Sequence, residues 1–176
     1  MPYFSFMGKF KEFLSYVIII VVIVLLRLFI ITPVIVDGTS MIPTLDDNQI
    51  LLLYKLDKNY ERFDIVVIDH KVNGEKEHLV KRVIGLPGEY VEYKDSKLYI
   101  NKEEVKEDFI DVETDDFALA KLGYLEIPEG YYFVVGDNRG DSSDSRILGL
   151  IPDNEIKGKI IFSIFPFNRF GKIKKS

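Results

Sequence analysis

The sequence predicts a mainly β protein, in which a single N-terminal transmembrane helix precedes a β-rich domain built as a partly open barrel or sandwich. Three observations carry this. An apolar run of bilayer length opens the chain. The patterning then changes from continuous to alternating, and the alternating runs are short and separated by turn residues. With 176 residues the chain holds one domain and a short appendage, not two full domains.

From Phe13 to Val36 the chain reads FLSYVIIIVVIVLLRLFIITPVIV, with Arg27 its only charge. A helix needs about 20 mostly apolar residues to cross a bilayer. Arg27 falls about 7 Å beyond the middle at ~1.5 Å per residue, so its side chain can snorkel to the outer headgroups. A buried core helix would be shorter. A cleaved secretory signal would end in an A-x-A-like pair of small residues, and Thr32-Pro33-Val34-Ile35-Val36-Asp37 offers none. The segment 13–36 therefore reads as an uncleaved anchor. Lys9 and Lys11 place residues 1–12 in the cytoplasm and 37–176 on the other side.

Strands are expected at Gln49–Tyr54, Ile65–Ile68, Lys76–Ile84, Tyr90–Tyr93, Lys97–Ile100, Tyr131–Val135 and Lys159–Ile164. Asn73-Gly74 is a strong hairpin signal between the second and third of these. Pro87-Gly88, Asp95-Ser96, Pro128-Glu129-Gly130 and Gly136-Asp137 mark further turns. Helical periodicity is weak and confined to Asp115–Leu122. The acidic stretch Glu103 to Asp116, inside a small insertion around 101–128, reads as a solvated loop without chemistry.

Composition narrows the function. A formal charge of −5 supplies no basic field for nucleic acid. Cysteine is absent, so neither disulfides nor thiolate metal sites can form. No metal or organic cofactor is expected.

Chemistry concentrates in three stretches. In GTSMIPTL, Ser40 sits in a turn of small residues and is the candidate nucleophile. Its base is less obvious. His70 and His78 flank the Asn73-Gly74 turn among charged residues, where solvated surface is the ordinary reading. In HLVKRVIG, period-2 alternation puts Leu79, Lys81 and Val83 on one strand face and Val80, Arg82 and Ile84 on the other. A lysine between aliphatic residues is desolvated, and desolvation lowers its pKa until it can accept a serine proton. The competing reading makes Lys81 and Arg82 an exposed basic pair on a strand edge. The third stretch, GDNRGDSSDSRILGLIP, admits three readings. Arg139-Gly140-Asp141 matches an adhesion tripeptide too short to carry weight. Calcium binding fits poorly, because Gly140 comes too early for the helix-loop-helix pattern. Alternatively Ser142 or Ser145 orients Lys81, while Asp144, Arg139 and Arg146 hold the loop by ion pairs.

Together these stretches resemble the bacterial type I signal peptidases, membrane-anchored serine proteases with a Ser-Lys dyad. SMIPTL, RFDIVVI, KRVIGLPGE and GDNRGDSSDSR follow one another in the family's order behind the anchor, and GKIIFSIFPFNRFGKI is similar to its closing strand. The resemblance implies a β-rich catalytic core with Ser40 as nucleophile, Lys81 as general base and Ser142 orienting the lysine amine. It implies that Met41, Pro43, Asp64, Arg82, Asp137, Asn138, Arg139, Asp144, Ser145 and Arg146 shape or brace the site. Lysine rather than histidine favours the bacterial type, and the single anchor the Gram-positive form. The implied substrates are exported preproteins with small residues at −1 and −3, cut at the outer face of the cell membrane. Phe165, Phe167, Met41 and Ile42 could rest against the lipid bilayer. Three departures stand out. Gly38 replaces a serine that binds the oxyanion in some members, leaving the Ser40 N–H as the identified donor. Phe63 replaces a common glycine, and Glu89 a common aspartate. The rivals are a non-catalytic anchored binding module and a Ser-Lys self-cleaving regulator. No oligomeric state follows.

Overall fold

A computed structural model describes residues 3–72 and 74–173. Helix α1 spans Tyr3–Phe29, and its stretch Gly8–Phe29 is 22 residues long and apolar enough to cross a membrane. At ~1.5 Å per residue that is about 33 Å, close to a hydrocarbon core of about 30 Å. The apolar run nevertheless does not continue as helix to Val36. Ile31–Ile35 forms strand β1, antiparallel to β2 (Ile50–Tyr54), with Ile31 opposite Tyr54 and Ile35 opposite Ile50. The residues explain the break. ITPVI is rich in β-branched side chains, and Pro33 has no N–H for a helix but is tolerated on a sheet edge.

The remaining strands of the larger sheet are β3 (Ile65–Val72), β4 (Glu75–Gly85), β9 (Tyr131–Val135), β10 (Ile151–Pro152), β11 (Ile156–Phe165) and β12 (Gly171–Lys172). The smaller sheet holds β5 (Val91–Lys94), β6 (Lys97–Ile100), β7 (Glu103–Val105) and β8 (Phe117–Ala118). The eight-stranded sheet runs β1-β2-β11-β3-β4-β9-β10 with β12 beside β11, and the four-stranded sheet runs β7-β6-β5-β8. A one-turn helix α2, Ser145–Leu148, follows the polar loop after β9. The fold is thus mainly β, as the alternation predicts. Val72 pairs with Glu75 across the hairpin; of its expected turn, Gly74 has φ +87°, while Asn73 lies outside the described residues. Around Asp115–Leu122 the helical signal yields only a 3-10 turn, Leu119–Leu122. The acidic stretch is not merely a solvated loop, since Glu103–Val105 pairs with β6.

Long β11 crosses both β2 and β3, with register shifts that bend it between them. At Gly158 a Cβ would lie 2.1 Å from the Tyr54 carbonyl oxygen, so only glycine allows this approach. Three apolar clusters fill the interior. One joins Val36, Met41 and Leu45 to β2, β3 and β11, another underlies the smaller sheet, and the third gathers Val66, Val83, Val134 and Ile156. Met41 and Leu45 are each 1% exposed, which roots the segment after Ser40 in the core. Met41 therefore does not face lipid, whereas Ile42, Phe165 and Phe167 are exposed.

Candidate active site

Ser40 and Lys81, 41 positions apart, meet with 2.7 Å between Oγ and Nζ. Strand β4 carries Lys81 opposite Val66 of β3, in the middle of the larger sheet. Lys81 and Arg82 are 3% and 0% exposed, which removes the reading of an exposed basic pair. Burial pushes the Lys81 ammonium down to about 8, against the opposing pull of Asp144, Asp137 and Glu77. The amine also donates to the Val80 carbonyl at 3.1 Å. A lysine so placed is a free amine in a minor but far larger fraction near neutral pH than an exposed lysine, beside a hydroxyl it can then deprotonate. The histidines are engaged elsewhere. His70 Nδ1 is 2.6 Å from Glu155, and His78 Nδ1 is 2.5 Å from Asp69.

The Ser40 segment is held at both ends. Before Ser40, Gly38 has φ +95° and its N–H donates to Asp47 Oδ1 at 2.8 Å. Beyond it, Arg169 donates to the carbonyls of Pro43 and Thr44 and pairs with Asp46. The polar loop after β9 grips Ser40 itself. Asn138 N–H donates to the Ser40 carbonyl at 3.0 Å, Asn138 Nδ2 to the Thr39 carbonyl, and the Thr39 hydroxyl to Asp141 at 3.0 Å. This approach requires Gly136, where a Cβ would fall 2.2 Å from Ser142 Oγ and 2.5 Å from the Ser40 carbonyl oxygen.

Ion pairs brace the loop as the sequence suggests. Arg82 donates to both oxygens of Asp137, at 2.9 and 2.7 Å, with both side chains fully buried, and reaches the Phe63 carbonyl. Asp144 accepts from Gly136 N–H and pairs with Arg146, while Ser145 Oγ accepts from Val134 N–H. Asp64 is buried and accepts from Glu61 N–H at 2.9 Å. Asp137 and Asp144 are thereby committed to arginines rather than presented as calcium ligands. Ser142 is brought beside Ser40, but its buried hydroxyl has no hydrogen-bond partner among the described residues and makes no bond to Lys81.

Two departures acquire physical content. Phe63 has φ +69°, in the left-handed region that suits glycine. Glu89 forks onto Arg62 at 2.6 and 3.0 Å and accepts from Leu86 N–H.

Sequence reasoning missed four contributors: Glu107, Phe109, Thr114 and Arg169. Glu107 pairs with Arg139 at 2.6 Å, and Thr114 Oγ1 accepts from Arg139 at 3.1 Å. The Phe109 ring lies 3.8 Å from the Arg82 guanidinium carbon. A solitary aromatic amid carboxylates was the available signal for Phe109, because such a ring is rarely left in solvent. The other three carried none.

The structure is thus a β-rich domain behind an N-terminal apolar helix, with a buried lysine held against a serine hydroxyl. Comparison with known proteins gives the family. The family model described as signal peptidase, peptidase S26, matches residues 10–165. A signal peptidase I of Bacillus licheniformis is 43% identical over 173 residues, covering 92% of this chain and 91% of the relative. One of Bacillus amyloliquefaciens is 41% identical over 168 residues, covering 90% and 89% respectively. The crystal structure of a signal peptidase I from Enterococcus faecalis V583 superposes with a TM-score of 0.52 at 38% identity, covering 57% of this chain and 96% of that one. The chain belongs to the S26 signal peptidase family, and it is a peptidase.

Proposed function

We propose that this peptidase removes N-terminal signal peptides from exported preproteins through a Ser40–Lys81 dyad. The observation that carries the reading is the 2.7 Å contact between a serine hydroxyl and a desolvated lysine amine. Neutral Lys81 takes the Ser40 proton as Oγ attacks the scissile carbonyl. The Ser40 N–H stabilises the oxyanion. The Lys81 ammonium then protonates the leaving amine, which departs as the N-terminus of the mature protein. An acyl-enzyme remains on Ser40, and Lys81 activates the water that releases the signal peptide. Ser142, otherwise unengaged beside Ser40, is assigned to orient the amine.

Substrate binding follows from the sheet edges. Successive antiparallel pairings make β1 and β4 run in the same direction, and among the described residues β1 pairs only with β2 and Glu75–Lys81 only with β3. A groove of about 480 Å³ is lined by Val34 and Ile35 of β1 and Val80 of β4, with Leu53 and Val67 among its walls. An extended preprotein segment adds to such edges through main-chain hydrogen bonds. Its −1 and −3 side chains face the same way, toward a wall that Val34, Ile35 and Val80 make apolar, which suits small apolar residues such as alanine. Anchored by α1 with Lys9 and Lys11 inside, the domain works at the outer face of the cell membrane, where Ile42, Phe165 and Phe167 meet lipid.

The test is cleavage of a preprotein with an Ala-x-Ala site in detergent by wild type, Ser40→Ala and Lys81→Ala. Both variants are expected to lose at least about 10³-fold in kcat/KM, and wild-type kcat/KM to rise with pH through an apparent pKa of about 8 as Lys81 loses its proton. Activity surviving in Lys81→Ala but lost in a His70 or His78 variant would overturn the base assignment. Silence from all three proteins would favour a non-catalytic anchored module.

A further inference from the structure

Residues 107–114, within the stretch whose composition reads as solvated acid, lie against two buried arginines, Arg139 and Arg82, that adjoin the segments holding Ser40 and Lys81. Glu107 accepts from Arg139 Nη2 at 2.6 Å and Nη1 at 3.1 Å, with 1% of the Arg139 side chain and 9% of the Glu107 side chain exposed. Tyr93 donates its hydroxyl to the same carboxylate at 3.1 Å, and Thr114 Oγ1 accepts from Arg139 Nη1 at 3.1 Å. Arg139 Nε in turn donates to the Gly136 carbonyl at 3.1 Å, closing the turn whose Asn138 N–H holds the Ser40 carbonyl. Two residues on from Glu107, Phe109 covers the Arg82 guanidinium, itself next in the chain to Lys81, and meets Phe63 edge-on at 5.1 Å between ring centres.

We infer that Glu107 and Phe109 are positioning residues: the strap they belong to clamps Arg139 and Arg82 together and thereby sets Ser40 against Lys81. The inference rests on the dyad reading above. Neither residue touches substrate or the reacting atoms, so each acts through its arginine. Removing the Glu107 charge leaves a desolvated guanidinium without its fork partner, and the turn it closes gains freedom. Catalytic geometry tolerates little of this, because a displacement of about 1 Å costs on the order of 10²-fold in rate. The groove lined by Val34, Ile35 and Val80 is built from other strands and does not change, so substrate affinity is unaffected.

Glu107→Gln and Phe109→Leu, made in the full chain, test this against Glu104→Gln, which removes an exposed charge paired with Lys97 on the neighbouring strand. Steady-state cleavage and amide hydrogen exchange are measured on each. Glu107→Gln and Phe109→Leu are expected to lower kcat about tenfold or more with KM within about twofold, and to speed exchange in the 136–141 segment alone, while Glu104→Gln behaves as wild type. Unchanged kcat in both variants overturns the inference. So does faster exchange throughout the chain with kcat and KM moving together, since the strap would then be general fold support. Should wild type cleave no preprotein, the dyad reading fails separately, and exchange alone decides: acceleration confined to 136–141 sustains the clamp, and its absence ends it.

Discussion

Lys81 is a side chain kept where its charge is unwelcome. An unfolded lysine holds its proton to a pH near 10.5, while burial in the fold lowers that to about 8. Between those values the unfolded state binds more protons, so folding stability rises with pH across that window; below about pH 8 the whole penalty is present. At 1.36 kcal/mol per unit, the penalty is on the order of 3 kcal/mol. Lys81→Met is therefore expected to melt higher than wild type at neutral pH, with the difference shrinking as pH approaches 10.5, as thermal unfolding across pH would measure. An equal difference at all pH values would mean that packing, not charge, separates the two. Phe63 shows a second local cost. Its φ of +69° is strained for an aromatic residue, and its edge-on contact with Phe109 offsets part of that strain.

At the scale of elements, the division between α1 and β1 matters most. The apolar run looks continuous because a buried or lipid-facing segment needs only apolarity, which helix and strand share. Pro33 and the β-branched residues around it divide the run, giving the anchor to the bilayer and β1 to the sheet. Strand β1 walls the groove proposed for substrate and pairs along all five residues with β2. A chain beginning at Ile31 is thus expected to fold and cleave a soluble peptide, whereas one beginning at Asp37 loses the edge and with it most activity. Circular dichroism melts and peptide cleavage compare the two. Equal activity in both would show that β1 contributes nothing to binding. The acidic stretch teaches the same lesson in reverse. Its composition reads as solvent-facing, yet Glu107 and Phe109 turn inward because two arginines need an anion and a ring.

For the molecule as a whole, chain length keeps Ser40 close to the apolar helix α1. Only the ten residues Ile30 to Thr39 separate the end of α1 at Phe29 from Ser40, a span of at most about 3.5 Å per residue. Exposed Ile42, Phe165, Phe167 and Phe170 supply an apolar rim. If the N-terminus lies inside, protease added to intact spheroplasts will digest the domain from Asp37 onward and leave a protected fragment containing α1. Protection of the entire chain until the membrane is opened would reverse the orientation.

By itself the sequence determined the mainly β class, most strand positions, the N-terminal apolar helix though not its end, and the polar stretches around Ser40, Lys81 and Asp137, because alternation, turn residues and local motifs are properties of neighbouring residues. The face of β4 bearing Lys81 was legible for that reason, and so were the braces Arg139, Asp144 and Arg146. The resemblance already pointed to Lys81, but only the tertiary structure brings its amine to the Ser40 hydroxyl, turns Met41 into the core, and sets Glu107, Thr114 and Arg169 against the segments around Arg139 and Ser40. Those contacts join residues 25 to 126 positions apart. No local pattern encodes such a pairing, since it is selected by the burial of a charge that must find its partner wherever the folded chain brings one.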